Sequence, residues 1–240
     1  MKKLFLLCLL ISSIFFAHVQ ADKFVLITSL YNEKEEARIA EYVVCMERNL
    51  AHSGIDTIHV LYDVSKDDDN NILLTYLRAQ NVIIHYISGR PTYHECFELA
   101  NAIHPDRNII ISNADIYYNE TLHLLDTYDL TNKFLALTRW NVQEDGSIKI
   151  YKWPNDKDAI GSQDTWIFKT PIRPFKDTTI SIGVPHCDAR IAYQAKQSGL
   201  KVLNPCLSIQ CCHVHLSGIR HWTALPRPKE MMVVPWCSLT

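Results

Sequence analysis

The sequence predicts an α/β protein with a mainly parallel central sheet, helices on both faces, and a smaller half built from mixed strands. Strand-like and helix-like segments alternate through the first half. Ile109, Ile110 and Ile111 form a β-branched run of the kind covered on both faces, which belongs to a parallel sheet. Beyond residue 119 the strands follow one another with little helix between them, as mixed or antiparallel strands do.

Residues 24–30 read as the first strand, and residues 33–52 as a helix with Ile39, Val43, Met46 and Leu50 at helical spacing, closed by Gly54. Residues 57–63 form a second strand that ends in the carboxylate of Asp63. The run Asp67, Asp68, Asp69 reads as a solvated acidic turn, followed by a helix over 72–79 and a strand over 82–87. A helix over 92–103 and the isoleucine strand complete four parallel strands with right-handed crossovers. In the second half, residues 134–140, 165–168, 201–203 and 208–211 are strand candidates, the first two separated by a polar stretch over 141–163 that contains Ile148-Lys149-Ile150-Tyr151, and 188–198 is an amphipathic helix ended by Gly199.

At the N-terminus, Lys2 and Lys3 precede an apolar run from Leu4 to Ala17, the length of a signal h-region and too short for a membrane anchor. The expected organisation is a signal peptide over 1–21 and one domain over 22–240, in which 22–118 and 119–240 are the two halves. Export follows, to a secretory lumen, the exterior or a periplasm. Without Lys2 and Lys3 the basic count falls from 24 to 22 against 26 acids, a formal charge of −4. That balance excludes a nucleic-acid footprint. Cys8 falls in the leader, which leaves seven cysteines. Cys45 and Cys96 sit in helical patterns as buried thiols, and Cys187, Cys206, Cys211, Cys212 and Cys237 are disulfide candidates.

Ligands of open α/β sheets bind beyond the carboxyl ends of the strands, so Asn113 and Asp115 stand at the mouth of a site. Such a segment suits a hard divalent cation held against a phosphate. The order Thr28-Ser29-Leu30-Tyr31-Asn32, Asp63, Arg90-Pro91-Thr92-Tyr93, Asn113-Ala114-Asp115, Asp188 and His213/His215 resembles a nucleotide-sugar glycosyltransferase of the GT-A fold. The usual motif there is Asp-x-Asp, and this chain carries Asn113 in its first place.

The resemblance implies transfer of a sugar from a nucleoside-diphosphate sugar to an acceptor hydroxyl of a glycan, protein or lipid, with Mn2+ or Mg2+. It places Thr28, Ser29, Tyr31 and Asp63 at the base, Arg90 at the diphosphate, and Asn113 at the ribose or metal. Asp115, His213 and His215 become the metal ligands, the histidines favouring manganese. The acceptor's proton calls for a carboxylate, Asp188 oriented by Arg190, or Asp164 in its stead. Trp140, Trp153 and Trp166 offer faces for stacking on a sugar, with Trp140 and Trp166 assigned to the acceptor. Two other readings use the same residues. One is a GT-A-like binder without turnover. The other is an exported module held by disulfides or by zinc on Cys206, Cys211, Cys212, His213 and His215, and the histidines can instead pack beside Trp222.

Overall fold

The structure is a computed structural model that describes residues 23–66, 68, 70–153, 161–221 and 225–240. The expected signal peptide, Asp67 and Asp69 of the acidic turn, and Trp222 lie outside the described residues.

Four parallel strands form the first half: β1 (Phe24–Tyr31), β2 (Ile55–Asp63), β3 (Ile83–Ile87) and β4 (Asn108–Ser112). They are linked by α1 (Glu36–Ala51), α2 (Ile72–Arg78) and α3 (Tyr93–Ile103). Their order is β3-β2-β1-β4, with Tyr31 beside Asp63 and Thr28 beside Ser112. That register brings the carboxyl ends of β1, β2 and β4 to one edge of the sheet, where ligands of such sheets bind. Helix α3 starts on a capping box: Thr92 accepts from the Glu95 amide, and Glu95 Oε2 accepts from the Thr92 amide at 2.6 Å.

The second half is mixed, as the sequence predicts. It contains β5 (Ile116–Tyr118), β6 (Lys133–Val142), β7 (Ile148–Ile150), β8 (Gln163–Lys169), α4 (Cys187–Gln197), β9 (Lys201–Leu203) and β10 (Cys211–His213). The sheet continues β4-β8-β6-β10-β5, with β8 antiparallel to both β4 and β6 and β10 antiparallel to β5. The last strand starts three residues and ends two residues later than its sequence pattern suggests, so it ends on His213 instead of before it.

Apolar side chains pack on both faces of the sheet, and Ile109, Ile110 and Ile111 are all fully buried. Two sequence expectations are corrected here. All seven described cysteines are free thiols. Adjacent Cys211 and Cys212 point to opposite faces of β10 and fall in separate apolar clusters, and Cys187 on α4 lies in a third. Trp166 is fully buried and packs edge-on against Tyr93 with ring centroids 4.9 Å apart, so its face is core and unavailable to a sugar.

Three imidazoles form a chain away from the carboxyl edge. His59 Nδ1 lies 2.8 Å from His85 Nε2, and His59 Nε2 lies 2.6 Å from His104 Nε2. Burial, then the neighbouring histidines, pulls the His59 pKa down to about 4; burial also lowers those of His85 and His104, with Arg107 reinforcing and Asp56 opposing it at His104. Each contact holds one proton, so full protonation would set N–H against N–H. The unfolded chain takes up protons first, near the ordinary histidine value of 6.5. Stability from this cluster is therefore present above that pH and lost as pH falls towards 4. The melting temperature is expected to be about 5 °C lower at pH 5 than at pH 7.5, and an unchanged melting temperature by calorimetry would contradict this account.

Candidate metal and donor site

The chain leaves β4 through Asn113 and Ala114, and the turn delivers Asp115 to the start of β5, where its carbonyl accepts from the Val214 amide at 2.9 Å. His213 ends β10 and His215 follows two residues later, so both rings face Asp115; they stack with centroids 5.4 Å apart. One ligand atom from each of Asp115, His213 and His215 lies within 4.8 Å of the others, the only such cluster among the described residues. It contains no cysteine, which corrects the zinc reading.

The geometry suits a cation. Asn141 Oδ1 accepts from Arg139 Nε at 3.2 Å and lies 3.1 Å from His213 Nδ1, and His213 Nε2 lies 3.1 Å from Asp115 Oδ2. Asp115 Oδ1 and both ring nitrogens of His215 are buried without a hydrogen-bond partner. A buried polar atom left unmatched costs about 1–3 kcal/mol, and a metal ion on Asp115, His213 and His215 would take up Asp115 Oδ1 and one of the His215 nitrogens. Burial alone would raise the Asp115 pKa. His213 and Arg38 overcome this and hold the carboxyl well below the usual carboxylate range. Burial, then the Arg38 charge, takes His215 down to about 4, so it offers a neutral ring at physiological pH.

Helix α1 supplies a part of the site that the sequence pattern hides. Its apolar stripe is the one the spacing predicts, but Arg38, Glu41, Cys45 and Asn49 are buried too. Arg38 Nη2 meets Asp115 Oδ2 at 2.5 Å and Nη1 meets Glu41 Oε2 at 2.6 Å. Asn49 bonds Ile116 O at 2.8 Å and the Tyr118 amide at 3.1 Å, covering the free edge of β5. Arg and Glu three apart on a helix normally mark a solvated face, so nothing in the sequence singles them out. Arg139 did leave a signal, as a charge near the end of an apolar strand.

Arg139 Nη1 pairs with Asp164 Oδ2 at 2.8 Å, and Asn113 Nδ2 donates to Asp164 Oδ1 at 3.0 Å. Asn113 thus holds the candidate base Asp164 rather than facing Asp115. Asp188, in the first turn of α4, accepts from the Gln163 amide at 3.1 Å. Burial, and secondarily the charge of Asp164, pushes the Asp188 pKa up, in the direction a general base needs. Arg190 does not orient it as expected: its guanidinium pairs with Asp177 at 3.2 Å.

At the base-binding edge, Thr28 Oγ1 donates to Ser112 O at 3.0 Å and so ties β1 to β4. Ser29 and Tyr31 sit at the carboxyl end of β1, and Tyr31 donates its hydroxyl to Glu33 at 2.8 Å. Asp63 Oδ1 accepts from the Ser65 and Gly89 amides at 2.9 and 2.8 Å, shaping the loops beyond β2 and β3. Arg90 donates to the carbonyls of Ile182 and Gly183 at 3.2 and 3.4 Å; a side chain at Gly183 would crowd it at 3.1 Å.

Outside the metal cluster opens a cleft of about 590 Å³ lined by Arg139, Tyr151, His213, His215, Leu216 and Arg220. The Arg139 guanidinium lies 4.2 Å from the centre of the Tyr151 ring. A neighbouring cleft of about 570 Å³ shares Asn141, Gln143 and Tyr151 and adds Trp153, which is 46% exposed. Trp140 is half-buried with its Nε1 bonded to Cys206 O at 2.9 Å. Of the three tryptophans considered for sugar stacking, Trp153 presents the most open face.

A parallel β3-β2-β1-β4 half continued by a mixed half is the architecture of known structures. The fold is GT-A. It matches the mannosyltransferase PcManGT from Pyrobaculum calidifontis, in complex with GDP-Man and Mn2+, at TM-score 0.50 and 14% identity, over 81% of this chain and 57% of that one. It also matches GalNAc-T7 with UDP, GalNAc and Mn2+, at TM-score 0.54 and 12% identity, over 82% of this chain and 44% of that one. The chain thus spans about half the length of these GT-A structures. No protein-family model matches the sequence, and no curated protein matches it.

Proposed function

We propose that this protein is a metal-dependent glycosyltransferase that moves a sugar from a nucleoside-diphosphate sugar to an acceptor hydroxyl. The observation that carries the reading is the cluster of Asp115, His213 and His215, with its buried, unmatched Asp115 Oδ1 and His215 nitrogens, at the carboxyl edge of a GT-A sheet. The two neighbours above, crystallised with Mn2+ and a nucleotide or nucleotide sugar, support the choice of ligand.

One carboxylate with two imidazoles favours Mn2+ over Mg2+, and a metal bound there supplies Lewis acidity to the departing diphosphate. The chain's own residues do the rest. Asp63 and the end of β1 receive the base, Arg90 and Arg220 approach the phosphates, and Asn113 positions Asp164. Asp188 takes the acceptor's proton, its raised pKa suiting the task. Tyr151 and Trp153 offer apolar faces to a sugar. The apolar run from Leu4 to Ala17 supports a reading in which the protein is exported and the acceptor is a glycan, a protein or a lipid.

The test is a thermal-shift panel of GDP- and UDP-sugars with and without Mn2+. A ligand that binds only the folded state raises the melting temperature, so a rise that needs both metal and nucleotide supports the assignment. A nucleotide effect indifferent to metal would overturn it.

A further inference from the structure

We propose that Arg38 is an internal counter-cation that competes with the metal for Asp115, so that the centre fills only when the metal arrives with the negative charge of a nucleoside diphosphate. This rests on the metal reading of the same site and concerns how its occupancy is regulated.

Arg38 is 8% exposed and holds Asp115 Oδ2 at 2.5 Å, the oxygen that His213 Nε2 also approaches at 3.1 Å. It cannot swing away freely. Its other nitrogen is fixed on Glu41 at 2.6 Å and reaches Val214 O at 3.4 Å, and its guanidinium lies 4.6 Å from the centre of the Tyr42 ring. Glu41 is itself anchored by the Ser217 amide at 2.7 Å and hydroxyl at 3.1 Å. A cation therefore already occupies one side of the carboxylate that must bind the metal.

Charge bookkeeping gives the consequence. Asp115 and Glu41 bring two negative charges and Arg38 one positive, so the group stands at −1 before a metal binds. A dication alone leaves a net positive charge in a water-poor site a few ångströms from a fixed guanidinium, and like charges at that range repel strongly. A nucleoside diphosphate reverses the sign. The device couples metal binding to donor binding, each favouring the other by the same factor.

The experiment measures Mn2+ binding by the loss of the free-ion paramagnetic resonance signal, with and without GDP or UDP. The unaltered protein is expected to bind Mn2+ weakly alone and at least tenfold more tightly with one of the nucleotides. Arg38→Gln is expected to bind Mn2+ at least tenfold more tightly than the unaltered protein without nucleotide, and Arg38→Lys, which keeps the charge, to remain weak. If Arg38→Gln does not fold, Arg38→Gln/Glu41→Gln removes the buried pair together; the net charge stays at −1, but Asp115 Oδ2 is released from its guanidinium, so a smaller shift in the same direction is expected. Equal Mn2+ affinity in the unaltered protein and the Gln variants, or weaker binding in the variants, would overturn the role of Arg38 while leaving the metal site standing. No Mn2+ binding by any of the proteins, with either nucleotide, would overturn the metal reading itself.

Discussion

Asp115→Asn is expected to lower metal-dependent donor turnover by roughly a thousandfold or more, about 4 kcal/mol of transition-state stabilisation. Asp115 is the single carboxylate of the metal cluster, and an amide of the same shape keeps an acceptor but gives up the charge that holds a dication. The substitution also removes the anion paired with Arg38. That guanidinium keeps Glu41 at 2.6 Å, so the buried positive charge is not left alone. The stability cost is expected to be about 2 kcal/mol, below the 3–5 kcal/mol typical of a fully broken buried pair. Turnover, Mn2+ binding and melting temperature measured on one preparation separate the two effects. Full turnover with lost stability would make Asp115 a structural residue only.

Trp166→Ala is expected to have the largest effect on stability, about 3–5 kcal/mol, through loss of burial and the cavity left behind. The ring is fully buried between β8 and α3, edge-on to Tyr93 at 88°. For a chain of this size the loss corresponds to a fall in melting temperature of roughly 10 °C. Trp166→Phe keeps most of the volume and removes an indole N–H that has no hydrogen-bond partner. It is expected to retain donor turnover and acceptor KM. A large rise in acceptor KM in Trp166→Phe, with stability unchanged, would restore the sugar-stacking role that burial argues against.

The parallel half was legible because its strands are buried on both faces and read as apolar runs, with helices of clear period between them. The helix expected over 92–103 is α3, which starts on the Thr92 and Glu95 capping box. The mixed half was legible in kind but not in detail. Strands β5, β7 and β10 span three residues each, too few for a period to show, and their pairing depends on distant partners such as Asn49. The cluster of Asp115 with His213 and His215 was readable from a strand-end carboxylate and two histidines on one strand face. Arg38 and Glu41 were not, because hydrophobic periodicity finds the stripe of a helix facing the core and is blind to a polar stripe buried against a site. The Asn113 substitution has a local reason that no sequence pattern contains: its amide donates to Asp164, which a carboxylate at that position would instead repel.

The central claim is that Asp115, His213 and His215 together ligate a divalent metal that carries the donor diphosphate. It is tested most directly by nitrogen hyperfine spectroscopy of Mn2+ bound with GDP or UDP. The account predicts coupling from two imidazole nitrogens, one lost in His213→Gln and the other in His215→Gln, and release of the ion in Asp115→Asn. Mn2+ bound with no imidazole nitrogen coupling, or a signal unchanged in all three variants, would contradict it.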